Sequence, residues 1–341
     1  MSLGALTTMD IRGGVMGSRN DHAIPNHLVI RSNPVPGESM IGYLRRLCIA
    51  NGYDTLQWVF HKNIRFADEL FTEENMWEIS DVTGCDCKII RRNSYCINGW
   101  HGSSINFHGI KIDRDRIDIK YLNICPDCLL ESPIIQSIWD LVDCTACPKH
   151  GTNIVNRCPA CRRFFSWMRA SNTCECGMVE YDDYFTGFSS ENEVACAKHI
   201  SFLLGNKVET EAVPGMTENI KRLSLEDFLY CVNRVYSIPV YEDENNCRVK
   251  VEMAFPDKRI CVSYSMGILM DWSAPFYNHV EKISKFIIGY GGVHRVKKRA
   301  ERNFLLASFL GMMGEVASKI DGTTEIFDRK WFDINKSNNL I

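Results

Sequence analysis

Four closely spaced pairs of potential metal ligands lie within 52 residues near the middle of this 341-residue chain. The pairs are Cys125 with Cys128, Cys147 with His150, Cys158 with Cys161, and Cys174 with Cys176. A C-x-x-C or C-x-x-H pair brings two ligand atoms onto one tight turn, so two pairs can complete a tetrahedral zinc shell. One pair alone would be weak support, but four in succession constrain this segment strongly.

The spacing divides the pairs into two successive sites. The first set is Cys125, Cys128, Cys147 and His150, with 18 residues between its two pairs. The second set is Cys158, Cys161, Cys174 and Cys176, with 12 residues between its two pairs. A shell of four protein ligands leaves no position for water, so we expect two structural Zn²⁺ ions and no catalytic one.

Cys144 opens a second interpretation of the first site, because Cys144 and Cys147 also form a C-x-x-C pair. In that arrangement Cys144 would take the place of His150. The other cysteines are less suited to ligation. Cys48, Cys196, Cys231 and Cys261 fit better as small buried hydrophobes, and Cys85, Cys87 and Cys96 lack an evident fourth ligand.

The rest of the composition favours a reducing compartment. Sixteen cysteines would suggest disulfides in a short secreted protein, but this chain is long and its pairs have metal spacing. Residues 1–27 contain no apolar segment of the signal-peptide kind and are predicted to be a flexible tail. No run approaches the roughly 20 apolar residues that a membrane-spanning helix requires. We therefore expect a cytoplasmic protein.

The formal net charge of −3 argues against a protein that coats nucleic acid over its whole surface. It permits local basic patches, and three clusters qualify: Lys88–Arg92, Arg157–Arg169 and His294–Arg302. Within the last cluster, the predicted nucleic-acid contacts are Arg295, Lys297, Lys298 and Arg299. The alternative for each cluster is a solvated face of a helix or loop.

Apolar periodicity predicts helices before the cysteine-rich segment. Met40, Tyr43, Leu44, Leu47 and Cys48 recur at helical spacing, with Glu38 and Ser39 expected in the first turn. Further helices are predicted at 55–62 and 73–82. Three short helices with tight turns favour a helix-turn-helix-like arrangement, and a small helical bundle is the alternative. Residues 85–120 are predicted to form short strands or extended connectors, including Ile110–Ile112 and Ile117–Ile119.

Helical patterns return after about residue 190. Ser224 and Asp227 nearly form a capping box, Ser273 can cap a helix that reaches Phe286, and residues 303–320 predict another helix. The expected fold is mainly α with small zinc-ribbon β elements. It comprises a tail (1–27), an N-terminal helix-turn-helix-like domain with short strands (28–120), tandem zinc-binding ribbons (121–185) and a C-terminal helical domain (186–341).

Several motifs resemble the TniQ/TnsD family over roughly residues 28–180. The N-terminal ones are Pro34–Leu47, Asn51–Tyr53 and Asp81–Gly84. The more specific ones are Ile124–Leu129, Trp139–Leu141, Cys147–Gly151 and Arg157–Cys161, which follow the family order C-P-x-C-L, tryptophan, C-x-x-H-G and C-P-x-C. The resemblance implies the two zinc sets given above, with His150 in the first, and makes Trp139 a packing residue. The presence of Cys144 departs from the family pattern.

The resemblance also implies a function. Members of this family select target sites for Tn7-like transposons in bacteria. In one branch the member is an adaptor between an RNA-guided CRISPR effector complex, with its guide RNA, and an AAA+ transposition regulator (TnsC-like). In the other branch, the TnsD type, the protein itself binds an attachment site in DNA. The moderate length and mildly acidic balance favour the adaptor branch. Target DNA and a second copy of the chain are further expected partners.

Catalysis is not expected. A zinc deaminase would require H-x-E ahead of P-C-x-x-C, and no H-x-E precedes the cysteine pairs. The sequence also lacks H-E-x-x-H and a P-loop. Cys125 and Cys128 could act as a redox pair, but the nearby C-x-x-H makes ligation the better interpretation. Asp113, Asp115 and Asp118 could suggest a nuclease, but they fit a solvated face better.

Overall fold

The computed structural model describes residues 27–57, 71–95, 104–171, 173–178, 186–205, 213–236, 240–242, 248–250, 257–272, 275–276, 278–280, 282 and 312–320. This part of the chain is mainly α-helical, as predicted. The helices are α1 (Met40–Ala50), α2 (Glu73–Thr83), α3 (Cys87–Asn93), α4 (Pro126–Glu131), α5 (Glu191–Leu203), α6 (Glu218–Lys221), α7 (Leu225–Tyr236) and α8 (Lys258–Met270). Residues 312–320 are also helical.

Two short antiparallel strand pairs accompany the helices. Strand β1 (Ser104–Phe107) pairs with β2 (Ile110–Asp113), and β3 (Val240–Glu242) pairs with β4 (Arg248–Lys250). The strands at 104–113 agree with the prediction of short strands there. Among the described helices, none combines the length and apolar character needed to cross a membrane.

The α1 helix lies where the apolar pattern predicts it, but Glu38 and Ser39 precede its first turn. Ser39 is the N-cap and its Oγ accepts from the amide of Gly42 at 3.1 Å. Glu38 is buried and ion-pairs with Arg46, whose Nε lies 2.8 Å from Oε1. A Cβ at Gly42 would lie 2.7 Å from the Cβ of Ile135, so the absent side chain lets α1 pack closely on the cysteine-rich segment.

The α2 helix begins after Thr72, the predicted cap, and Gly84 ends it in the left-handed conformation with φ of 68°. The sequence predicted extended structure directly after α2, and this is wrong for the residues of α3. The Asp86 side chain accepts from the amide of Lys88 and caps the start of this helix. Ile117 is extended and bridges to Leu141. Most of the predicted helix at 55–62 lies outside the described residues, so the helix-turn-helix-like arrangement stays a prediction.

The C-terminal part is helical with one exception. Ser224 caps α7 through a 3.1 Å bond from the amide of Asp227, so this helix begins slightly earlier than its apolar run. The C-terminal part was expected to be wholly helical, but β3 and β4 form a strand pair there. Val240 and Tyr241 favour strands, and the sequence between β3 and β4 is rich in Asp and Asn, which favour turns. Residues 312–320 agree with the predicted last helix, whereas most of 273–286 lies outside the described residues.

One continuous cluster of buried apolar side chains extends from Leu28 to Ile320 and includes Trp139. Charged contacts join the cysteine-rich segment to the C-terminal helices across this core. The buried carboxylate of Asp143 lies 2.8 Å from Nζ of Lys258 and 3.5 Å from Nη1 of Arg116. Thr145 donates to Glu193 at 3.0 Å, and Arg259 also pairs with that carboxylate. The cysteine-rich segment therefore packs against α1 through Ile135 and is joined to α5 and α8 by these charged contacts.

Candidate metal centres

The first pair of the first cluster is built by the start of α4. Cys125 is the N-cap of this helix and Pro126 occupies its first turn, where a missing N–H costs no helical bond. The amide of Leu129 donates to the carbonyl of Cys125 at 3.2 Å. One helical turn therefore carries the sulfurs of Cys125 and Cys128.

The second pair is built by a tight turn that includes Gly151. The amide of His150 donates to Sγ of Cys147 at 3.4 Å, and the amide of Gly151 donates to the carbonyl of Cys147 at 2.9 Å. Gly151 has a φ of 67°, a conformation that a side chain would strain. The turn bends the chain so that Cys147 and His150 face the first pair.

The four ligand atoms of the first cluster have the separations of a tetrahedral site. Nδ1 of His150 lies 3.5, 3.2 and 3.5 Å from the sulfurs of Cys125, Cys128 and Cys147. The sulfurs of Cys128 and Cys147 are 3.5 Å apart. Zinc bonds of about 2.3 Å to sulfur and 2.0 Å to nitrogen give tetrahedron edges of about 3.8 and 3.5 Å. A disulfide would require about 2.05 Å, so the arrangement fits a metal ion.

Neighbouring polar groups fix the orientation of the ligands. Nε2 of His150 lies 3.0 Å from Oε1 of Glu131, and Lys149 contacts the other oxygen of that carboxylate. A proton on Nε2 leaves Nδ1 free to act as a ligand. Thr152 donates to Asp127 at 2.9 Å, and its Oγ1 lies 3.6 Å from the sulfur of Cys125. The contacts with the thiols of Cys128 and Cys147 lower the pKa of Cys125.

Cys144 lies apart from this cluster. It is buried and its sulfur donates to the carbonyl of Ala146 at 3.4 Å. Of the two interpretations that spacing left open, the geometry brings in His150 and leaves Cys144 in the core. The four cysteines predicted to be buried hydrophobes are all buried, namely Cys48, Cys196, Cys231 and Cys261. In the described part of the chain, Cys85 and Cys87 join no group of possible ligands, and Cys96 lies outside it.

The second cluster brings Cys158, Cys161, Cys174 and Cys176 together, with all four sulfurs within 4.8 Å of one another. The separations are 3.6 Å for Cys158 and Cys176, and 3.4 Å for Cys161 and Cys174. Gly177, with φ of 87°, turns the chain so that its amide donates to the carbonyl of Cys174 at 2.9 Å. The tight C-x-C pair thus meets the C-x-x-C pair as predicted from spacing.

The two clusters differ in their surroundings. The ligands of the first are buried or half-buried, whereas Cys176 of the second is exposed. A backbone hydrogen bond from Arg163 lowers the pKa of Cys161 to about 7, which favours the thiolate needed for metal binding. Both four-atom shells are complete without water, as in structural zinc sites.

A feature that the sequence did not single out is the aromatic stack beside the second cluster. The rings of Tyr121 and Phe164 are parallel, with centroids 3.6 Å apart. The guanidinium of Arg157 lies 3.5 Å from the Phe164 centroid, and Nζ of Lys120 lies 5.2 Å from that of Tyr121. Basic and aromatic residues were both visible in the sequence, but their pairing joins positions more than 40 residues apart. The predicted contacts Arg295, Lys297, Lys298 and Arg299 lie outside the described residues.

The acidic residues considered for catalysis, Asp113, Asp115 and Asp118, do not assemble into a group of possible metal ligands within the described residues. Asp115 pairs with Arg116 at 2.9 Å. One H-x-E sequence, His279–Glu281, follows the cysteine pairs instead of preceding them. His279 is buried and its Nδ1 lies 2.8 Å from the hydroxyl of Tyr264.

Residues 29–154 match the family model TniQ. This part of the chain is therefore similar to the TniQ family. The match includes the whole first cluster and ends before the second. A search of curated proteins found no match. TniQ proteins select target sites for transposition in Tn7-like elements, work with transposition machinery and target DNA, and act as non-catalytic adaptors or DNA-binding proteins.

Proposed function

We propose that this protein is a zinc-stabilised adaptor that links a DNA-targeting module to an AAA+ transposition regulator. The observation that carries the proposal is the coincidence of the TniQ match with a complete Cys₃His shell. Cys125, Cys128, Cys147 and His150 would hold one Zn²⁺, and Cys158, Cys161, Cys174 and Cys176 a second. Bound zinc would supply rigid cross-links between short segments, with no open position for substrate.

The contacts of the cysteine-rich segment support a scaffolding role. Asp143 and Thr145 lie between the two pairs of the first cluster and contact Lys258 and Glu193 of the C-terminal helices. A zinc ion that orders this segment would therefore also order the surface where α5 and α8 meet it. We infer that metal binding presents partner-docking surfaces in a fixed arrangement.

The DNA-targeting module in this proposal is a CRISPR effector complex with its guide RNA. In such a system base pairing reads the target sequence and the adaptor needs no base contacts of its own. The mildly acidic net charge of −3 supports this choice over a protein that binds DNA tightly by itself. The protein would act in the bacterial cytoplasm, with a second copy of the chain as a further partner.

The second candidate is a TnsD-type protein that recognises an attachment site directly. Exposed arginines near the second cluster would supply the phosphate contacts that such a protein needs in addition to its base contacts. This candidate predicts tight binding to one DNA site by the isolated protein, with affinity that falls steeply as salt increases.

The experiment is a pull-down of the tagged protein from cells that also express the neighbouring transposon genes. We expect an AAA+ ATPase and a CRISPR effector subunit to be recovered. Cys147→Ser should reduce recovery, because it opens the first zinc shell, whereas Cys144→Ala is the matched control. Recovery of neither partner would overturn the adaptor proposal, and tight site-specific DNA binding without partners would establish the second candidate instead.

The domain boundaries belong to the same proposal. They are a tail at 1–27, an N-terminal domain at 28–120, zinc ribbons at 121–185 and a helical domain at 186–341. Limited proteolysis of the zinc-loaded protein should cut near residues 120 and 185 if these units are independent. Protection at both places would show that the continuous core joins them into one unit.

A further inference from the structure

Near the second cluster, two basic side chains make cation–π contacts with a pair of stacked aromatic rings. Arg157 and Lys120 cap opposite ends of the Phe164–Tyr121 stack. Nη1 of Arg157 also donates to the carbonyl of Arg162 at 3.1 Å. Stacking and this hydrogen bond hold the guanidinium in place, so little side-chain entropy remains to be lost when its other N–H groups bind a ligand.

Two further arginines converge on one carboxylate at the same surface. Arg163 contacts Glu175, and Nη1 of Arg169 lies 3.9 Å from its other oxygen. All three side chains line an open pocket together with the hydroxyl residues Ser166 and Thr173. Arginine forks and hydroxyl groups are the usual protein contacts of phosphate oxygens.

The charge balance of this surface is positive although that of the chain is negative. Four cations, Lys120, Arg157, Arg163 and Arg169, accompany the carboxylate of Glu175, and the positive balance of these five side chains outweighs the nearby carboxylate of Asp118, which accepts from the amide of Lys120 at 3.1 Å. Neither Lys120 nor Arg157 has a carboxylate partner within the described residues. We name these five charged residues, with Tyr121 and Phe164, the basic stack face.

We infer that the basic stack face binds the phosphodiester backbone of duplex DNA without reading its sequence, and that Glu175 occupies the place of a phosphate until DNA binds. This inference rests on the proposed function. Both ring faces of the stack are already covered on their outer sides by cations, so the face offers charge and leaves little aromatic surface for bases. Phosphate contacts of this kind fix position and carry no sequence information directly.

The test is fluorescence anisotropy of the full, zinc-loaded chain with a short labelled duplex of random sequence, titrated at several salt concentrations. Lys120→Gln with Arg157→Gln removes the two stack cations. Lys198→Gln with Arg222→Gln is the matched control, because both residues are exposed and lie outside this face. Glu175→Gln removes the competing carboxylate. Zinc content and circular dichroism verify that each variant is folded.

We expect the stack variant to lower the magnitude of the slope of log K against log salt by about 1.8, since each lost phosphate contact contributes about 0.9. The control pair should leave the slope unchanged, and Glu175→Gln should tighten binding up to about fivefold. Equal slopes for the stack and control variants would overturn the inference. An unchanged affinity of Glu175→Gln would overturn the role given to that carboxylate.

A labelled RNA hairpin distinguishes the nucleic acids. If the stack variant weakens only hairpin binding and leaves the duplex unaffected, the assignment to DNA is wrong. The DNA-binding assay and the pull-down together show whether the DNA-binding face or the adaptor proposal is wrong. Normal partner recovery by the stack variant with unchanged DNA binding would reject this face alone, whereas a DNA effect without partner recovery would retain the face and reject the adaptor.

Discussion

Nε2 of His150 lies 3.0 Å from Oε1 of Glu131, on the opposite side of the ring from the three sulfurs that surround Nδ1. The carboxylate therefore fixes both the tautomer and the plane of the imidazole. Such outer contacts typically change metal affinity by about 10- to 100-fold when they are removed.

We accordingly expect Glu131→Ala to weaken zinc binding at the first site by about 10- to 100-fold. Competition with a chromophoric chelator measures this change. Lys149→Met is the control, because Lys149 contacts the same carboxylate but not the ring. Equal affinities of the Glu131 and Lys149 variants would show that the carboxylate does not orient the ligand.

Two variants test whether His150 or Cys144 is the fourth ligand of the first cluster. His150→Ala should release one zinc ion per chain during dialysis against a mild chelator, since it removes one of four ligands. Cys144→Ala should retain both ions, because this sulfur contacts the carbonyl of Ala146 instead. Metal content measured by mass spectrometry would reverse the assignment if the Cys144 variant lost an ion and the His150 variant kept both.

The buried carboxylate of Asp143 predicts a stability effect that does not involve a metal ligand. Lys258→Met leaves this carboxylate with only the longer contact to Arg116, and the free energy of unfolding should fall by about 3 kcal/mol. Lys198→Met, at an exposed position, should change it by less than about 0.5 kcal/mol. Urea unfolding at saturating zinc measures both, and similar values would exclude a structural role for the Asp143 pair.

Asp140 should make stability depend on pH. Burial raises the pKa of this carboxyl, which accepts from the hydroxyl of Tyr95, to about 7. In the unfolded chain its pKa is about 3.9, so between these values the folded protein binds the extra proton. Stability from this group is therefore present at low pH and declines as pH rises from about 4 to about 7, by up to roughly 4 kcal/mol.

Asp140→Asn should remove that decline, because the amide can accept from Tyr95 without titrating. We expect the stability difference between variant and wild type to grow in favour of the variant between about pH 5 and about pH 8, with zinc saturating throughout. Urea unfolding across this range provides the measurement. A difference that stays constant with pH would mean that Asp140 titrates normally.

Local signals in the sequence were sufficient to locate the close-spaced cysteine and histidine pairs and several helix boundaries. Each C-x-x-C or C-x-x-H pair is set by one turn, and Thr72, the predicted cap, accepts from the amide three residues along. The assignment of Glu38 and Ser39 to a first turn was wrong, because Ser39 is the N-cap and Glu38 precedes it, where its carboxylate pairs with Arg46. Likewise α3 was missed because a cap at Asp86 outweighed a weak alternating pattern.

Contacts between distant positions could not be deduced from sequence. Spacing permits either Cys144 or His150 as a ligand, and only the folded chain shows which one faces the other three. The pairing of Asp143 with Lys258 joins residues 115 positions apart, and Phe164 meets Tyr121 across two zinc loops. Such contacts depend on how the elements pack, which no local pattern records.

We propose that two closed zinc shells hold the cysteine-rich segment in its fold. The most direct measurement is the metal content of the purified chain, followed by circular dichroism after a strong chelator removes the metal. We expect two zinc ions per chain and loss of folded structure on their removal. A chain that contains no zinc, or that keeps its full structure once stripped, would contradict the claim.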